Sequence, residues 1–327
     1  MNNEYIKNIY YEDCISGSDK IEKGSVKLLI CDPPFGINES KFDQHYKRET
    51  SNIISGYVEA PEEYDQWTLQ WMQKAKELLH EDGTFYVVIG HTKLKSVLQA
   101  AEYLDFHLIN HIIWKFNFGV NTKKKFVTSH YHILYYAKSS KANLTFNTYC
   151  RFGSQEKDSN NGSLLYQDME DVFVIKKEYS PNEVKNQNKL PEELIKKLIQ
   201  YSSNENDLVC DFFMGNFTTA FVALKMGRQI CGFEKNQEAF NLHYSRLALV
   251  EFGSGLKELK KVENITPKNQ GKSITEQEFC QICADYSSLI LDGKTKKEAS
   301  LILQDKYGRG RFAIKNILDK YYYKKSK

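Results

Sequence analysis

The sequence predicts an α/β protein with a doubly wound, mostly parallel sheet, helices on both of its faces, and a small C-terminal helical segment. Three observations predict it. Short apolar or β-branched runs recur from residue 26 to residue 233, stretches of helical periodicity lie between them, and residues 274–327 carry helical patterning with no strand-like run.

The runs are 26–31 (VKLLIC), 84–90 (TFYVVIG), 111–114 (HIIW), 131–136 (YHILYY), 207–211 (DLVCD) and 229–233 (QICGF). Their near-continuous apolar character suits strands covered on both faces. Between them, residues 61–79 and 95–104 read as helices, 191–201 opens with proline at a first-turn position, and 219–226 closes at Gly227. Residues 260–273 resemble a linker, and 275–287, 296–307 and 311–323 read as three helices, with Gly308 and Gly310 breaking the last two.

At 327 residues with 41% apolar content, the chain can bury one large core and a smaller appendage. Seven cysteines, an odd number with no signal peptide ahead of them, predict a reducing, cytoplasmic setting. No apolar run approaches the roughly 18 residues that span a bilayer. Cys280-x-x-Cys283 has no second ligand pair near it, so no metal is expected. The charge is lopsided: from Lys294 onward eleven basic residues stand against three acids, a net of +8 within an overall +3. Arg309 and Arg311 in this block, and Lys123, Lys124 and Lys125 in a loop leaving a strand end, are the candidate phosphate contacts.

Two strand ends carry chemistry. Asp32-Pro33-Pro34-Phe35 follows VKLLIC directly. The amino group of a nucleobase is a poor nucleophile, because its lone pair is delocalised into the ring. A carboxylate and a carbonyl accepting the two amino hydrogens favour a pyramidal nitrogen. Asp32 supplies the carboxylate. Consecutive prolines fix the nearby carbonyls without drawing them into a helix or ladder, and Phe35 offers a ring on which a base can stack. The second end is Asp211-Phe212-Phe213-Met214-Gly215-Asn216-Phe217-Thr218-Thr219, between DLVC and a helix. A glycine-bearing turn at the carboxyl end of a strand admits a cofactor close to the backbone. Glu234 ends the next strand about 20 residues on, where an acid accepts from ribose hydroxyls.

These blocks resemble the β group of DNA amino-methyltransferases, the permuted kind in which the catalytic motif precedes the cofactor motif. The usual tetrapeptide is DPPY, matched at Asp32–Phe35 with phenylalanine for tyrosine. The usual loop is DPFxGSGTT, matched at Asp211, Phe213, Gly215, Thr218 and Thr219, with Asn216 and Phe217 in place of Ser-Gly. The resemblance covers roughly residues 5–250, including NIYYEDC near Asp13 and the stretch before Pro191 that usually reads HPTQKP.

The resemblance implies a permuted Rossmann-like methyltransferase fold with S-adenosylmethionine as cofactor. It assigns cofactor contacts to Asp13, Asp32, Asn188, Lys189, Asp211, Phe213, Met214, Gly215, Asn216, Thr218 and Glu234, and catalysis to Asp32, Pro33, Pro34 and Phe35. The target is an amino group of a base flipped from double-stranded DNA. Adenine N6 is preferred and cytosine N4 is the alternative, since cytosine members more often begin the tetrapeptide with serine. An RNA methyltransferase usually places the cofactor loop first, and a non-catalytic DNA-binding module leaves both motifs unexplained. A cognate restriction endonuclease is an optional partner, and monomer and dimer both stay open. The domain reading is a catalytic domain over 1–255 with a recognition insert at 139–184, a linker over 256–273, and a basic helical domain over 274–327.

Overall fold

A computed structural model of the protein describes residues 4–34, 61, 63–117, 119, 123–178, 189–258, 269 and 272–325. The chain forms two compact units, residues 1–262 and 263–327. The first contains, in order, β1 (Ile6–Tyr11), the one-turn α1 (Cys14–Gly17), β2 (Val26–Cys31), α2 (Tyr64–Leu78), β3 (Leu79–Ile89), α3 (Leu94–Tyr103), β4 (His107–Lys115), β5 (His130–Ala137), α4 (Leu164–Met169), β6 (Val172–Val174), α5 (Glu192–Ser202), β7 (Leu208–Asp211), α6 (Thr218–Lys225), β8 (Gln229–Glu234) and α7 (Gln237–Leu247).

The strands form one sheet in the order β1-β8-β7-β2-β3-β5-β4-β6. Only β5 runs against its neighbours β3 and β4; every other pairing is parallel. The alternation of side chains along each strand divides the core in two. Leu28 and Ile30 of β2, with Tyr86 and Val88 of β3, pack under α5 and α6. Leu29 and Cys31, with Phe85, Val87 and Ile89, pack under α2 and α3. The fold is therefore a three-layer α/β sandwich, and each fully buried aliphatic side chain contributes about 1.5–3 kcal/mol.

Three differences from the sequence reading have local causes. β3 starts at Leu79, not residue 84, because Val26 pairs with Leu79 while Leu28 already pairs with Thr84, so a bulge carries the extra residues. β6 is three residues long and lies beside β4, with Ile113 paired to Val172. Within 139–178, Arg151 reaches Asp168 at 3.0 Å and Gln200 at 3.0 Å, and Tyr201 reaches Asp168 at 2.6 Å, which pins this segment to α5.

In the second unit α8 (Glu276–Leu291), α9 (Lys296–Tyr307) and α10 (Arg311–Lys325) enclose a separate small core of Ile282, Cys283, Tyr286, Ala299, Leu303, Ile314, Ile317 and Leu318. Thr275 caps α8, Thr295 and Glu298 form a capping box on α9, and Gly308 ends α9 at φ 56°. No described helix is long and apolar enough to cross a membrane.

Candidate active site

Because β1, β8, β7 and β2 are parallel neighbours, their carboxyl ends share one edge. Along that edge the chain sets four acids in spatial order: Asp13 after β1, Glu234 ending β8, Asp211 ending β7, and Asp32 after β2. This is the rim at which open α/β sheets bind ligands.

Asp32 is held by the two prolines that follow it. Its Oδ1 is buried and has no hydrogen-bond partner among the described residues. Burial, and then the nearby Asp211 carboxylate, push its carboxyl well above the usual carboxylate range, while Lys177 pulls it down. The two proline carbonyls are not equivalent. Tyr64 on α2 donates its hydroxyl to Pro34 O at 2.9 Å, whereas among the described residues nothing donates to Pro33 O. Asp32 Oδ1 and the Pro33 carbonyl are thus acceptors on adjacent residues just past the end of β2, with no donor to either among the described residues. Phe35 lies outside the described residues.

The Asp211–Thr219 turn is built around backbone donors. Asp211 Oδ1 accepts from Phe213 N–H at 2.9 Å, and burial raises its carboxyl to about 6, against the pull of Thr219 and Phe213. Glu234 Oε2 accepts from Gly215 N–H and Oε1 from Asn236 N–H, each at 2.6 Å. Glu234 therefore tethers the Gly215 turn as well as facing the rim. A carboxylate has about four lone-pair sites, so acceptor capacity remains on both oxygens. Gly232 of β8 passes so close to this turn that a Cβ there would sit 2.2 Å from Asp211 O.

Met214 is buried and its N–H donates to Phe233 O at 3.0 Å, while Asn216 and Thr218 line the start of α6. Phe213 packs its ring on Trp67 and Trp71 of α2 at 5.6 and 5.3 Å. Phe217, standing where the resemblance expects glycine, keeps the left-handed backbone at φ 58° and buries its ring completely against Phe240 and His243. A bulky residue there costs about 1–3 kcal/mol in backbone strain, and burial of the ring offsets it at about 1.5–3 kcal/mol. The ring therefore points away from the rim and does not fill it.

Asp13 caps α1 by accepting from Ile15 N–H at 2.9 Å, and pairs with Lys235 at 3.2 Å, beside Glu234. Lys189 pairs with Glu178 at 3.4 Å, and Asn188 lies outside the described residues. Arg309 is a correction. It is 6% exposed, and four of its N–H groups go to Glu278 and to the carbonyls of Lys272 and Ser273, which leaves it unfit as a phosphate contact. Arg311 is exposed at the start of α10, and Lys123, Lys124 and Lys125 are exposed between β4 and β5. Cys280 is exposed and Cys283 buried, and among the described residues no three metal-binding side chains converge.

Lys177 was not legible in the sequence. Its Nζ lies 4.2 Å from the Phe116 ring centre and 4.5 Å from that of Tyr131, and 3.4 Å from the Tyr131 hydroxyl. Its charge acts on Asp32 across 145 positions of sequence, a proximity made by the pairing of β6 with β4. The local sequence offers no more than a lysine pair closing the short apolar run 172–175.

The profile of a family described as DNA methylase, of N6/N4 type, matches residues 26–245, about two thirds of the chain. The chain belongs to this DNA methylase family. It is 27% identical over 292 residues to the type II methyltransferase M.HinfI of Haemophilus influenzae, across 86% of this chain and 79% of that protein. It is likewise 27% identical over 286 residues to the DNA adenine methyltransferase YhdJ of Escherichia coli, across 81% and 90%. In fold it is similar to TTHA0409 of Thermus thermophilus, solved with S-adenosyl-L-methionine, with a TM-score of 0.53 at 18% identity over 75% of this chain and 94% of that one.

Proposed function

We propose that this DNA methylase transfers a methyl group from S-adenosylmethionine to the N6 amino group of adenine in a base flipped out of duplex DNA. The observation that carries the reading is the pair of acceptors at the end of β2, Asp32 Oδ1 and the Pro33 carbonyl, matched to the two hydrogens of an amino group. Adenine is preferred over cytosine because the tetrapeptide opens with aspartate and the similar YhdJ is a DNA adenine methyltransferase.

The rim fits the cofactor. Its buried carboxyls raise one another's proton affinity, an arrangement that a cation relieves, and Gly215 leaves the backbone open beside Glu234. When bound, S-adenosylmethionine supplies an electrophilic methyl on a sulfonium. Asp211, Phe213, Met214, Gly215, Asn216 and Thr218 would hold its methionine end. Glu234, with Asp13 farther along the rim, would hold the ribose and adenine. Asp32 and Pro33 orient the amino group and draw its lone pair out of the ring. The base must leave the stack to reach them, at a cost of a few kcal/mol.

Seven cysteines with no disulfide among them, together with a DNA substrate, support a cytoplasmic site of action. The type II relative supports a cognate restriction endonuclease as partner, tested by whether an enzyme encoded beside it cuts the same site. The deciding experiment is incubation of plasmid DNA with purified protein and S-adenosylmethionine, followed by nucleoside mass spectrometry. N6-methyladenine is expected. N4-methylcytosine alone would move the target to cytosine, and no methylated nucleoside would overturn the reading.

A further inference from the structure

Phe126 is 99% exposed, although the other described phenylalanines along this rim are packed. A single exposed apolar residue is ordinary on a surface, so the setting must decide its meaning. Three lysines, Lys123, Lys124 and Lys125, immediately precede it, and Val127 beside it is also exposed.

The residues on either side continue the β4–β5 pairing beyond the sheet. Phe116 N–H donates to Ser129 O at 2.9 Å. Gly119 lies so close to the opposite arm that a Cβ would fall 2.2 Å from Val127 Cγ1 and 2.7 Å from Thr128 O. The two arms are thus joined backbone to backbone, on a foot where Phe116 and Tyr131 flank Lys177. Since β4 runs parallel to β2, this projection leaves the same edge that carries Asp32.

We propose that Lys123–Phe126 is the DNA-inserting tip of the enzyme. The lysines hold the phosphate backbone, and the Phe126 ring enters the base stack in the gap left by the flipped target. An apolar wedge between base steps is a recognised way to stabilise unstacked duplex, and an uncharged ring flanked by cations is suited to a polyanion with an apolar interior. The inference rests on the DNA-methylase reading and deepens it.

The test uses the full-length protein and two short duplexes containing a site that it methylates, located by sequencing modified plasmid. In one duplex the target is paired; in the other the base opposite the target is omitted, so opening no longer breaks a pair. Phe126→Ala should lower kcat/KM about tenfold or more on the paired duplex and return to within about twofold of wild type on the other, since the lost wedge is needed only where opening is costly. Phe126→Trp should stay near wild type on both, and Lys123→Ala/Lys124→Ala should weaken both alike with a shallower salt dependence. Removing a fully exposed ring leaves the core intact, so loss of fold does not cloud the result. Equal activity of Phe126→Ala and wild type on the paired duplex overturns the wedge, as does a loss of the same size on both duplexes. Plasmid left unmethylated by the wild-type protein overturns the methylase reading and the wedge with it.

Discussion

Asp32 sits where burial and chemistry oppose each other. Desolvation and Asp211 favour its proton, Lys177 opposes them, and only the ionised carboxylate accepts from an amino group on both oxygens. Asp32→Asn keeps the shape but replaces an acceptor with a donor. It is expected to lower kcat about a hundredfold or more while leaving cofactor affinity within about twofold, by analogy with loss of one transition-state hydrogen bond. Substantial turnover would remove Asp32 from the mechanism. Replacing Lys177 by methionine removes the cation that holds the Asp32 pKa down, so the acid limb of the kcat profile should move to higher pH; an unmoved limb would make Lys177 a packing residue only. Asp211 gives the corresponding stability prediction. Folding raises its pKa from 3.8 to about 6, so it favours the protonated form: its contribution is present below 3.8 and lost as pH rises through about 6. Asp211→Asn, uncharged throughout and still able to accept from Phe213 N–H, should stabilise the unliganded protein at pH 8 by about 2–3 kcal/mol in urea unfolding, the gain shrinking toward pH 4. Asp32, Asp211 and Glu234 were legible because each follows an apolar run at a strand end. Tyr64 and Lys177 were not, since the first reaches Pro34 and the second acts on Asp32 only through tertiary packing.

At the scale of elements, what holds residues 139–178 to the sheet is a compact charge network. Arg151 and Lys197 converge on Asp168, at 3.0 and 3.4 Å, with side chains 15%, 8% and 11% exposed. Burial holds the Lys197 pKa down while Asp168 holds it up. Removing the acid leaves Lys197 buried without its carboxylate partner and Arg151 with only the more exposed Glu193, so Asp168→Ala should destabilise the protein by about 3–5 kcal/mol in urea unfolding. A cost below about 1 kcal/mol would show that water reaches the site and screens it. Such a network cannot be read from sequence, because its members are scattered over α4, α5 and a turn. The central strands could be, since strands buried on both faces are apolar without interruption. β6 could not, being too short to differ from a loop, and neither could α7, whose Asn236 cap precedes a largely polar helix. In the second unit the apolar residues of α9 do not all face the core. Ala299 and Leu303, four residues apart, form the buried stripe of α9, while Leu301 and Ile302 point outward at 47% and 39% exposure.

For the whole molecule the open element is the second unit, whose charge is less extreme than the last 34 residues suggest. Counted over 263–327, thirteen basic residues face eight acids, a net of +5, because α8 and its flanks contribute five of those acids. Arg309 is neutralised by Glu278 and Lys306 by Asp285. What remains is a set of exposed cations on α9 and α10, including Lys296, Lys297, Arg311, Lys315 and Lys320. The unit has its own core and caps, so it can be removed as a body. The cut belongs after Val262, not near Gly255, since Leu256 packs on the core beneath α6 and losing it would damage the first unit. A protein of residues 1–262 is expected to bind S-adenosylmethionine like the full chain but to bind duplex DNA more weakly. The magnitude of its slope of log affinity against log salt should fall by about 0.9 for each phosphate that is no longer neutralised. With five candidate cations the slope should change by at least about 2, which titrations from about 50 to 300 mM salt resolve. Equal slopes and equal affinities for the two proteins would assign all phosphate contacts to the first unit, leaving the lysines of α9 and α10 as a solvated face.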